Sequence, residues 1–466
     1  MPLNEIPAED IVPARADAAV PAASAAATGN PSELPMLVAG AHAGPADSAK
    51  APRFYYGYWL VAVAFVAQFV SVGSQNYVIG SFLKPMTTEL GWSRADFQLS
   101  RTVGQFVLAF IGFFIGGYVD RHGGRRLMQL GTVVLGIALF ASSWVQTEWQ
   151  WLLLNGIAVT AGAALAGNLV VNITLSKWFV TQRGRMVGLA SMGVSSAGVF
   201  LTPAATILVD GVGWRMAWRV LAVAAVAIML PLSFMMRRAP EDHGLHPDGR
   251  TDAEIAAGAG RAAAADFASS MTRSEAIRTR TFYLIVFGFG LGALSIGVML
   301  AQTIPYMTDA GYSRTVASLM ITLTSIPALL TKPLWGYLGE RMSAAKLLAI
   351  GFITNAVALV IIVLAVRSHT DPMIYFGFLV LGFGWGGLIP LQEVVWADYF
   401  GRRYLGAVRS AGLPLSLVIS ASAPFLTTIY FDHVGNYDGA FLTVAVLAVV
   451  ATALVLMSKR PIRTGP

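Results

Sequence analysis

The sequence lacks cysteine and carries little charge. None of its 466 residues is cysteine, which excludes disulfide bonds, thiol catalysis and cysteine-ligated zinc. Charged residues make up only 12% of the chain, whereas a typical soluble domain contains about 25%. The six histidines show no spacing typical of metal ligands, so we expect no metal site and no cofactor. These absences argue against a soluble enzyme that works through thiols or metals.

Hydrophobic residues take the place of the missing charge. They form 56% of the sequence and fall into uncharged runs such as 127–145 and 347–366. Runs of about 18 or more apolar residues are long enough to cross a bilayer as helices. We therefore predict an all-α polytopic membrane protein embedded in a lipid bilayer. Basic loops at a membrane surface explain the formal net charge of +7, so no nucleic-acid partner is expected.

Twelve candidate spans divide the chain into two six-helix halves. The halves are 54–236 and 281–458, and a polar linker, 237–280, separates them. Residues 1–53, rich in Ala, Pro and acids and without a signal-peptide pattern, predict a disordered cytoplasmic tail, and 459–466 form a short second tail. The spans are predicted at 56–83, 93–118, 127–145, 150–176, 184–208, 216–236, 281–307, 315–338, 345–366, 372–396, 404–430 and 438–457.

The distribution of Lys and Arg predicts the orientation. Basic residues concentrate in alternate short loops, for example 121–126, 177–185 and 402–403. Loops of this kind face the cytoplasm. Both termini are then cytoplasmic, and we expect the protein in the inner (plasma) membrane of the cell.

The two halves share a turn motif. Gly116, Asp120 and Arg121 close the second span, and Gly336, Glu340 and Arg341 close the eighth at the same spacing. Two six-helix repeats around a central pathway are typical of secondary transporters. We expect the acid–arginine turns to form charge pairs across the inner face, and these pairs would break when the halves rock (gating turns Asp120, Arg121, Glu340 and Arg341).

Four charged residues lie deep inside predicted spans. Lys332 lies eight residues before Glu340, about 12 Å inside its helix, and is predicted near mid-membrane. Glu393 and Arg409 flank a turn at equal distances, so they are predicted at the same depth on an antiparallel helix pair. Arg101 lies at a similar depth in the other half. Buried ions are costly, so each needs a partner or a wet cavity.

Two interpretations of these charges stay open. Three cations against one carboxylate would be offset by an anionic substrate, with Lys332, Arg409 and Arg101 as its contacts. Alternatively, Glu393 and Arg409 pair only with each other, and Arg101 serves a gate or binds a backbone carbonyl. Glu393 is also the best candidate proton carrier. Further polar and aromatic candidates for substrate contact are Tyr77, Gln105, Trp385 and Gln392, with Asn168, Asn172, Gln302 and Trp335 as other pathway residues.

Several stretches resemble a known transporter family. Over residues 54–460, the twelve spans, the central loop and the G-x-x-x-D/E-R turns resemble the major facilitator superfamily. The stretches GSFLKPMTTELGWSRA (80–95), WFVTQRGRMVGLASMG (178–193), PEDHGLHPDG (240–249), EAIRTRTFYL (275–284) and the opening YYGYW resemble its monocarboxylate transporter and oxalate/formate antiporter branch.

The resemblance also assigns roles and shows departures. It implies that Lys332 occupies the position where family members bind the substrate carboxylate with an Arg. The family's Asp one turn earlier corresponds to Ala328, and the lysine that many members carry in the first helix falls near Tyr77. Proton coupling by those two groups is therefore not expected here.

These observations predict a monomeric secondary active transporter of small organic anions, mono- or dicarboxylates, that works by alternating access. Proton symport and anion exchange both remain open as its driving mechanism. No nucleotide-binding G-x-x-x-x-G-K-S/T loop occurs, so ATP is not the direct energy source. The alternatives are transport of an inorganic anion such as nitrate, a non-transporting membrane sensor, or an intramembrane enzyme, for which catalytic spacings are lacking.

Overall fold

The computed structural model describes residues 54–258, 260–268 and 270–461. Within these ranges the chain forms twelve long helices, numbered α1 to α12, and no β-strand. The helices are α1 (Gly57–Leu90), α2 (Arg94–His122), α3 (Arg125–Trp144), α4 (Glu148–Trp178), α5 (183–212), α6 (214–233), α7 (Arg280–Asp309), α8 (Arg314–Arg341), α9 (Ala344–Arg367), α10 (Asp371–Phe400), α11 (Leu405–Val434) and α12 (Asp438–Met457).

Each predicted span overlaps one of these helices, which confirms the all-α membrane fold. By length and composition, ten segments of the described chain can cross a membrane, and one of them, Arg183–Ser233, contains both α5 and α6. Gly213, with a φ of 79°, separates the two, because this backbone conformation suits glycine. The helix α8 is not among the ten, although its 28 residues are long enough; it contains Lys332 and two prolines. The predicted tail, 1–53, lies outside the described residues.

Each half of the bundle has its own hydrophobic core. In α1–α6, the buried cluster includes Trp151, Trp178 and Trp218. In α7–α12, two clusters form around residues such as Phe378 and Trp396. The buried residues of each cluster come from one half, so each half can move as a unit.

The helices α2 and α8 resemble each other at their starts as well as at their ends. Ser93 Oγ accepts a hydrogen bond from the Asp96 N–H at 3.1 Å, and Ser313 Oγ accepts one from the Val316 N–H at 3.3 Å. These N-caps satisfy backbone donors that the helix itself cannot. The repeat seen at the Gly116 and Gly336 turns therefore extends to the helix starts, with the same offset of residue numbers. Under this offset, Lys332 of α8 corresponds to Gly112 of α2.

The two halves meet closely at one end of the bundle. We call this the linker end, because it is the end at which residues 234–279 join α6 to α7. A Cβ on Gly116 of α2 would lie 1.8 Å from the Gly406 oxygen of α11. A Cβ on Gly184 of α5 would lie 2.2 Å from the Gly336 oxygen of α8. Only glycine permits backbones to approach so closely, as in other membrane-helix contacts.

The linker packs against both halves. Asp248 Oδ1 accepts the Val180 N–H at 3.1 Å, which fixes the linker to the turn between α4 and α5. Arg402, between α10 and α11, forms an ion pair with Glu241 at 2.7 Å. Asp266 lies 3.5 Å from Arg183 at the start of α5 and 3.8 Å from Arg402. The linker therefore bridges the halves at the end where their helices already meet.

Candidate functional site

A cavity of about 280 Å³ lies between the two halves. Its lining comes from α1, α2, α4, α7, α10 and α11, so both halves contribute. Ile115 and Arg409 belong to this lining, and the Gly116–Gly406 contact lies next to them toward the linker end. The cavity therefore lies on the far side of this contact. Its polar lining residues are Gln75, Asn76, Asn168, Gln392, Arg409, Ser416 and Ser420.

Arg409 and Glu393 form a buried ion pair beside the cavity. Arg409 Nη1 lies 2.8 Å from Glu393 Oε1, so the two residues predicted at equal depth contact each other. Arg409 reaches the cavity lining, whereas Glu393 is completely buried behind it. Glu393 Oε2 and Arg409 Nε have no hydrogen-bond partner among the described residues. The pair is therefore only partly satisfied by the protein.

A chain of amides extends this pair into the other half. Asn172 of α4 donates to Glu393 Oε1 at 3.3 Å. Gln68 of α1 donates to Asn172 Oδ1 at 3.3 Å, and all of these side chains are buried. Because α1 and α4 belong to one half and α10 and α11 to the other, the chain connects the halves inside the bundle.

Lys332 is buried against α5. It is 3% exposed, and its ammonium contacts Ser195 Oγ. No carboxylate lies within ion-pair distance of it among the described residues, so its charge is solvated only by a neutral hydroxyl. Lys332 is not part of the cavity lining in this structure. Its counterpart in the other half, Gly112, does line the cavity, which indicates that Lys332 occupies the equivalent face of α8.

The depth of Lys332 follows from the packing of α8 on α10. A Cβ on Gly382 would lie 2.1 Å from the Thr324 oxygen, and one on Gly386 would lie 3.3 Å from the Ala328 oxygen. This register places Lys332 level with Pro390, three residues or about 5 Å from the level of Glu393. The predicted similarity in depth therefore holds to within one helical turn.

Tyr77 and Lys332 meet the same face of α5. A Cβ on Gly198 would lie 2.6 Å from the Tyr77 ring, and Ser195, which contacts Lys332, is one turn earlier on α5. Tyr77 ends a π-helical turn, Gly73–Tyr77, and the facing part of α5 contains another, Ala197–Leu201. Such turns insert an extra residue into a helix and frequently mark functional sites. Tyr77 and Lys332, two residues that the resemblance singled out separately, therefore contact neighbouring positions of α5.

Arg101 and Gln105 lie on the same α2 face as Leu108, Gly112 and Ile115, three residues that line the cavity. Arg101 is two turns, about 10 Å, from Leu108 toward the far end of the bundle. It is exposed and forms no ion pair with another described residue. It therefore lies on the approach to the cavity rather than in its lining.

Trp385 and Trp335 take part in helix packing. The Trp385 indole donates to Ser295 Oγ of α7 at 3.3 Å. The Trp335 indole donates to the Phe383 carbonyl at 2.9 Å. Neither ring lines the cavity in this structure. Gln302 of α7 similarly donates to the Pro424 carbonyl of α11 at 3.3 Å.

The acidic residues of the two turns bridge the halves. Asp120 lies 3.0 Å from Lys177 and accepts the Ala407 N–H of α11 at 2.8 Å. Glu340 accepts both the backbone N–H and the Nε–H of Arg185 at the start of α5, each at 2.7 Å. Each carboxylate therefore meets the N-terminal turn of a helix from the opposite half, where the helix dipole favours an anion.

The turn arginines behave differently from the prediction. Arg121 and Arg341 are exposed, and neither forms an ion pair within the described part of the chain. Arg341 instead lies over the Tyr337 ring, 4.5 Å from its centre. The contacts across the linker end are made by the acids with backbone amides and with Arg185, because the arginine side chains point outward at the helix ends.

Sequence reasoning missed part of the polar lining. Gln75 and Asn76 lie in the π-helical turn of α1, whose altered period turns them toward the cavity. Ser195 and Gln68 are ordinary small or polar residues in apolar spans. One sequence feature that points to the lining is the internal repeat. It makes Lys332 of α8 correspond to Gly112 of α2, and so indicates which faces of these two helices are equivalent.

Known proteins with similar sequences are membrane transporters. The sequence model described as Major Facilitator Superfamily matches residues 64–304 and 282–466. The uncharacterized MFS-type transporter YcxA of Bacillus subtilis is 22% identical over 384 residues, covering 81% of this chain and 90% of that protein. The oxalate:formate antiporter of Oxalobacter formigenes is 22% identical over 408 residues, covering 85% and 90%.

A solved structure shows the same fold. The proton:xylose symporter XylE, bound to 6-bromo-6-deoxy-D-glucose, superimposes with a TM-score of 0.66 over 86% of this chain and 95% of its own. The sequence identity is 14%, so the similarity concerns the fold.

Proposed function

Because the chain belongs to the major facilitator superfamily, and is therefore a membrane transporter rather than an enzyme, we propose that its substrates are small organic anions. The substrates would be mono- or dicarboxylates, moved by alternating access between the two halves. The observation that carries this proposal is the buried ammonium of Lys332, which meets a serine hydroxyl but no carboxylate among the described residues.

An anion would compensate Lys332 better than the protein does. A cation inside a membrane protein is costly unless it is paired or reaches water. A hydroxyl satisfies one donor of the ammonium and leaves its charge in place. A carboxylate would add a charge-assisted hydrogen bond, roughly twice as strong as a neutral one. Rocking of α8 relative to α5 would expose Lys332 to the central pathway, since its counterpart Gly112 already lines the cavity.

The other cations and the cavity size support the same substrate class. Arg101 lies on the approach to the cavity and Arg409 in its lining. A volume of about 280 Å³ is at or below the low end for sites that hold drug-sized ligands, about 300–1,000 Å³, which favours a small substrate. The relative from Oxalobacter formigenes is named for two small carboxylates, oxalate and formate.

The structure is consistent with two modes of energy coupling. Glu393 is buried beside Arg409 and is the candidate proton carrier for symport. If it stays ionised throughout, the protein would act as an anion exchanger. We assign the linker end to the cytoplasm on the basis of its basic loops, so the cavity would face outward. We expect the transporter to act as a monomer.

Flux measurements test the proposal. The purified chain would be placed in vesicles, and uptake of formate, oxalate, lactate, succinate and nitrate would be measured, each against an internal load of the same anion. We expect saturable uptake of at least one carboxylate. Nitrate uptake without carboxylate uptake would favour the inorganic-anion alternative. Lack of flux for every anion, with the protein folded, would contradict the proposal.

Replacing Lys332 tests its role. K332A should reduce uptake of the preferred carboxylate by at least about tenfold, since it removes a charge-assisted contact, while the protein stays folded. K332R should recover part of the uptake, because it keeps the charge with different donor geometry. The matched control is K84A, which removes an exposed lysine of α1. Normal uptake by K332A would refute the assignment.

A further inference from the structure

A second pocket, of about 490 Å³, lies at the linker end of the first half. The turn between α2 and α3 forms one wall, and the end of α6 with the first linker residues forms the other. Arg238 joins the walls, because its Nη1 donates to the Arg121 carbonyl at 3.2 Å. Its lining residues are Tyr56, Arg121, His122, Gly123, Arg125, Phe234, Met236, Arg237, Arg238, Asp242 and His243.

The lining is strongly basic. Asp242 is its single acid, and its carboxylate accepts a hydrogen bond from Arg238 Nε at 2.7 Å. Hydrogen bonds from Arg238 lower the pKa of Asp242, so the two charges offset each other at neutral pH. Arg121, Arg125 and Arg237 form no ion pair with any described residue. Three positive charges therefore remain, beside His122 and His243.

Aromatic rings hold two of these arginines in place. The Arg237 guanidinium lies 3.8 Å from the centre of the Tyr56 ring, and that of Arg125 lies 5.2 Å from the Phe234 ring. Stacking on a ring orients a guanidinium but leaves its N–H donors available at the edge. The N-terminus of α3, at Arg125, also has no side-chain cap, so its backbone donors face the same region.

The pocket lies at the level where a membrane surface is expected. It is formed by the ends of three membrane helices, α2, α3 and α6, and by the start of α1. Phe234 is 54% exposed, and Phe54 and Trp59 at the start of α1 are 56% and 53% exposed. Aromatic residues with Lys and Arg are typical of the interface between hydrocarbon and water. A soluble anion would gain nothing from these exposed rings.

We propose that this pocket binds the phosphate headgroup of an anionic phospholipid. The phosphate would lie among Arg121, Arg125 and Arg237, and the acyl chains would run along Phe234 into the bilayer. Basic pockets between membrane helices are known to hold anionic headgroups. The site is separate from the central cavity and shares no lining residue with it.

Lipid titration of the full chain tests this proposal. Native mass spectrometry from detergent would compare phosphatidylglycerol with phosphatidylcholine, and glycerol phosphate would represent the soluble headgroup. We expect phosphatidylglycerol to bind at least about tenfold more tightly than phosphatidylcholine, and glycerol phosphate to bind weakly. Equal affinity for the two lipids overturns the proposal without any variant, and so does glycerol phosphate binding as tightly as phosphatidylglycerol.

A charge variant locates the site. R125Q/R237Q should weaken phosphatidylglycerol binding by roughly 25-fold, since each basic group near an anionic surface contributes about fivefold. R125K/R237K, which keeps the charges, should bind within about threefold of the wild type. The control R278Q/R280Q removes two exposed arginines at the same end of the other half and should bind normally. Unchanged binding by R125Q/R237Q, or an equal loss in the control, overturns the assignment.

Discussion

At the scale of single residues, the buried charges fall into two groups. Arg409 and Glu393 compensate each other, and Asn172 adds a hydrogen bond from the opposite half. Among the described residues, the Lys332 ammonium contacts the Ser195 hydroxyl and no carboxylate. A buried charge that has a counter-charge in the protein can serve structure, whereas one without a counter-charge is available for a ligand. This difference makes Lys332 the stronger candidate for substrate contact and makes the Glu393–Arg409 pair a candidate for coupling.

The Glu393–Arg409 pair should behave as a unit in stability measurements. Neutralising one partner leaves a buried charge, so E393Q or R409Q alone should cost about 3–5 kcal/mol of the free energy of unfolding. E393Q/R409Q should cost less than the sum of the two. Thermal or chemical unfolding of the four proteins gives the double-mutant cycle. Additive losses would show that the contact at 2.8 Å contributes no coupling.

Coupling by Glu393 can be separated from substrate binding. A substrate carboxylate near Arg409 would weaken its attraction for Glu393 and favour protonation there, so proton and anion would bind with positive coupling. E393Q should then lose accumulation driven by a pH gradient but keep exchange at equal pH. Vesicle uptake with an imposed gradient, compared with counterflow, measures both. Gradient-driven accumulation by E393Q would exclude Glu393 as the carrier and favour plain exchange.

For the buried charged residues, the sequence predicts their depth in the membrane better than it predicts which side chains they contact. Counting residues from helix ends predicted that Glu393 and Arg409 would lie at the same depth, because antiparallel geometry fixes that relation, and left open whether they pair. It could not predict that Asn172 reaches Glu393 or that Ser195 reaches Lys332. Those contacts depend on how α4 and α5 rotate against the other half, and no feature of a single helix encodes that rotation.

At the scale of helices, small residues determine how the halves meet. The Gly116–Gly406 and Gly184–Gly336 contacts bring backbones together at the linker end. Hydropathy predicted the twelve helices well because bilayer thickness sets a minimum length for each apolar run. It could not predict the π-helical turns in α1 and α5, because these depend on packing between the two helices rather than on composition.

A methyl group at this contact should weaken the closed linker end. In G116A, the new Cβ would lie 1.8 Å from the Gly406 oxygen, so α2 and α11 must separate. Overpacking of this kind costs about 1–3 kcal/mol, which thermal unfolding would detect. The neighbouring glycine provides the control, because a Cβ on Gly117 meets nothing within 4 Å. Equal stability of G116A and G117A would contradict the proposed role of the contact.

At the scale of the whole molecule, closure is concentrated at one end. The glycine contacts, the Asp120 and Glu340 bridges and the linker ion pairs all lie at the linker end, and the cavity lies beyond them. The repeat of α2 and α8 made this symmetry predictable, since both turns carry a glycine, an acid and an arginine at the same spacing. Which end is closed could not be predicted, because alternating states of one sequence differ only by small free energies.

Rocking of the two halves can be tested directly, because the sequence has no cysteine and introduced cysteines would be the only labelled sites. One pair, R126C/M342C, places spin labels on exposed positions of opposite halves at the linker end, and Q146C/N436C does so at the far end. Formate or oxalate would be added in excess. Alternating access then requires that the distance between the linker-end labels increases as the distance between the far-end labels decreases. Pulsed electron paramagnetic resonance measures both distance distributions.

Rigid-body rocking moves the two ends in opposite directions, since the halves have separate cores and pivot about their contacts. If an anion that raises the unfolding temperature leaves both distances unchanged, or shifts them in the same direction, the bundle does not work by rocking of its halves.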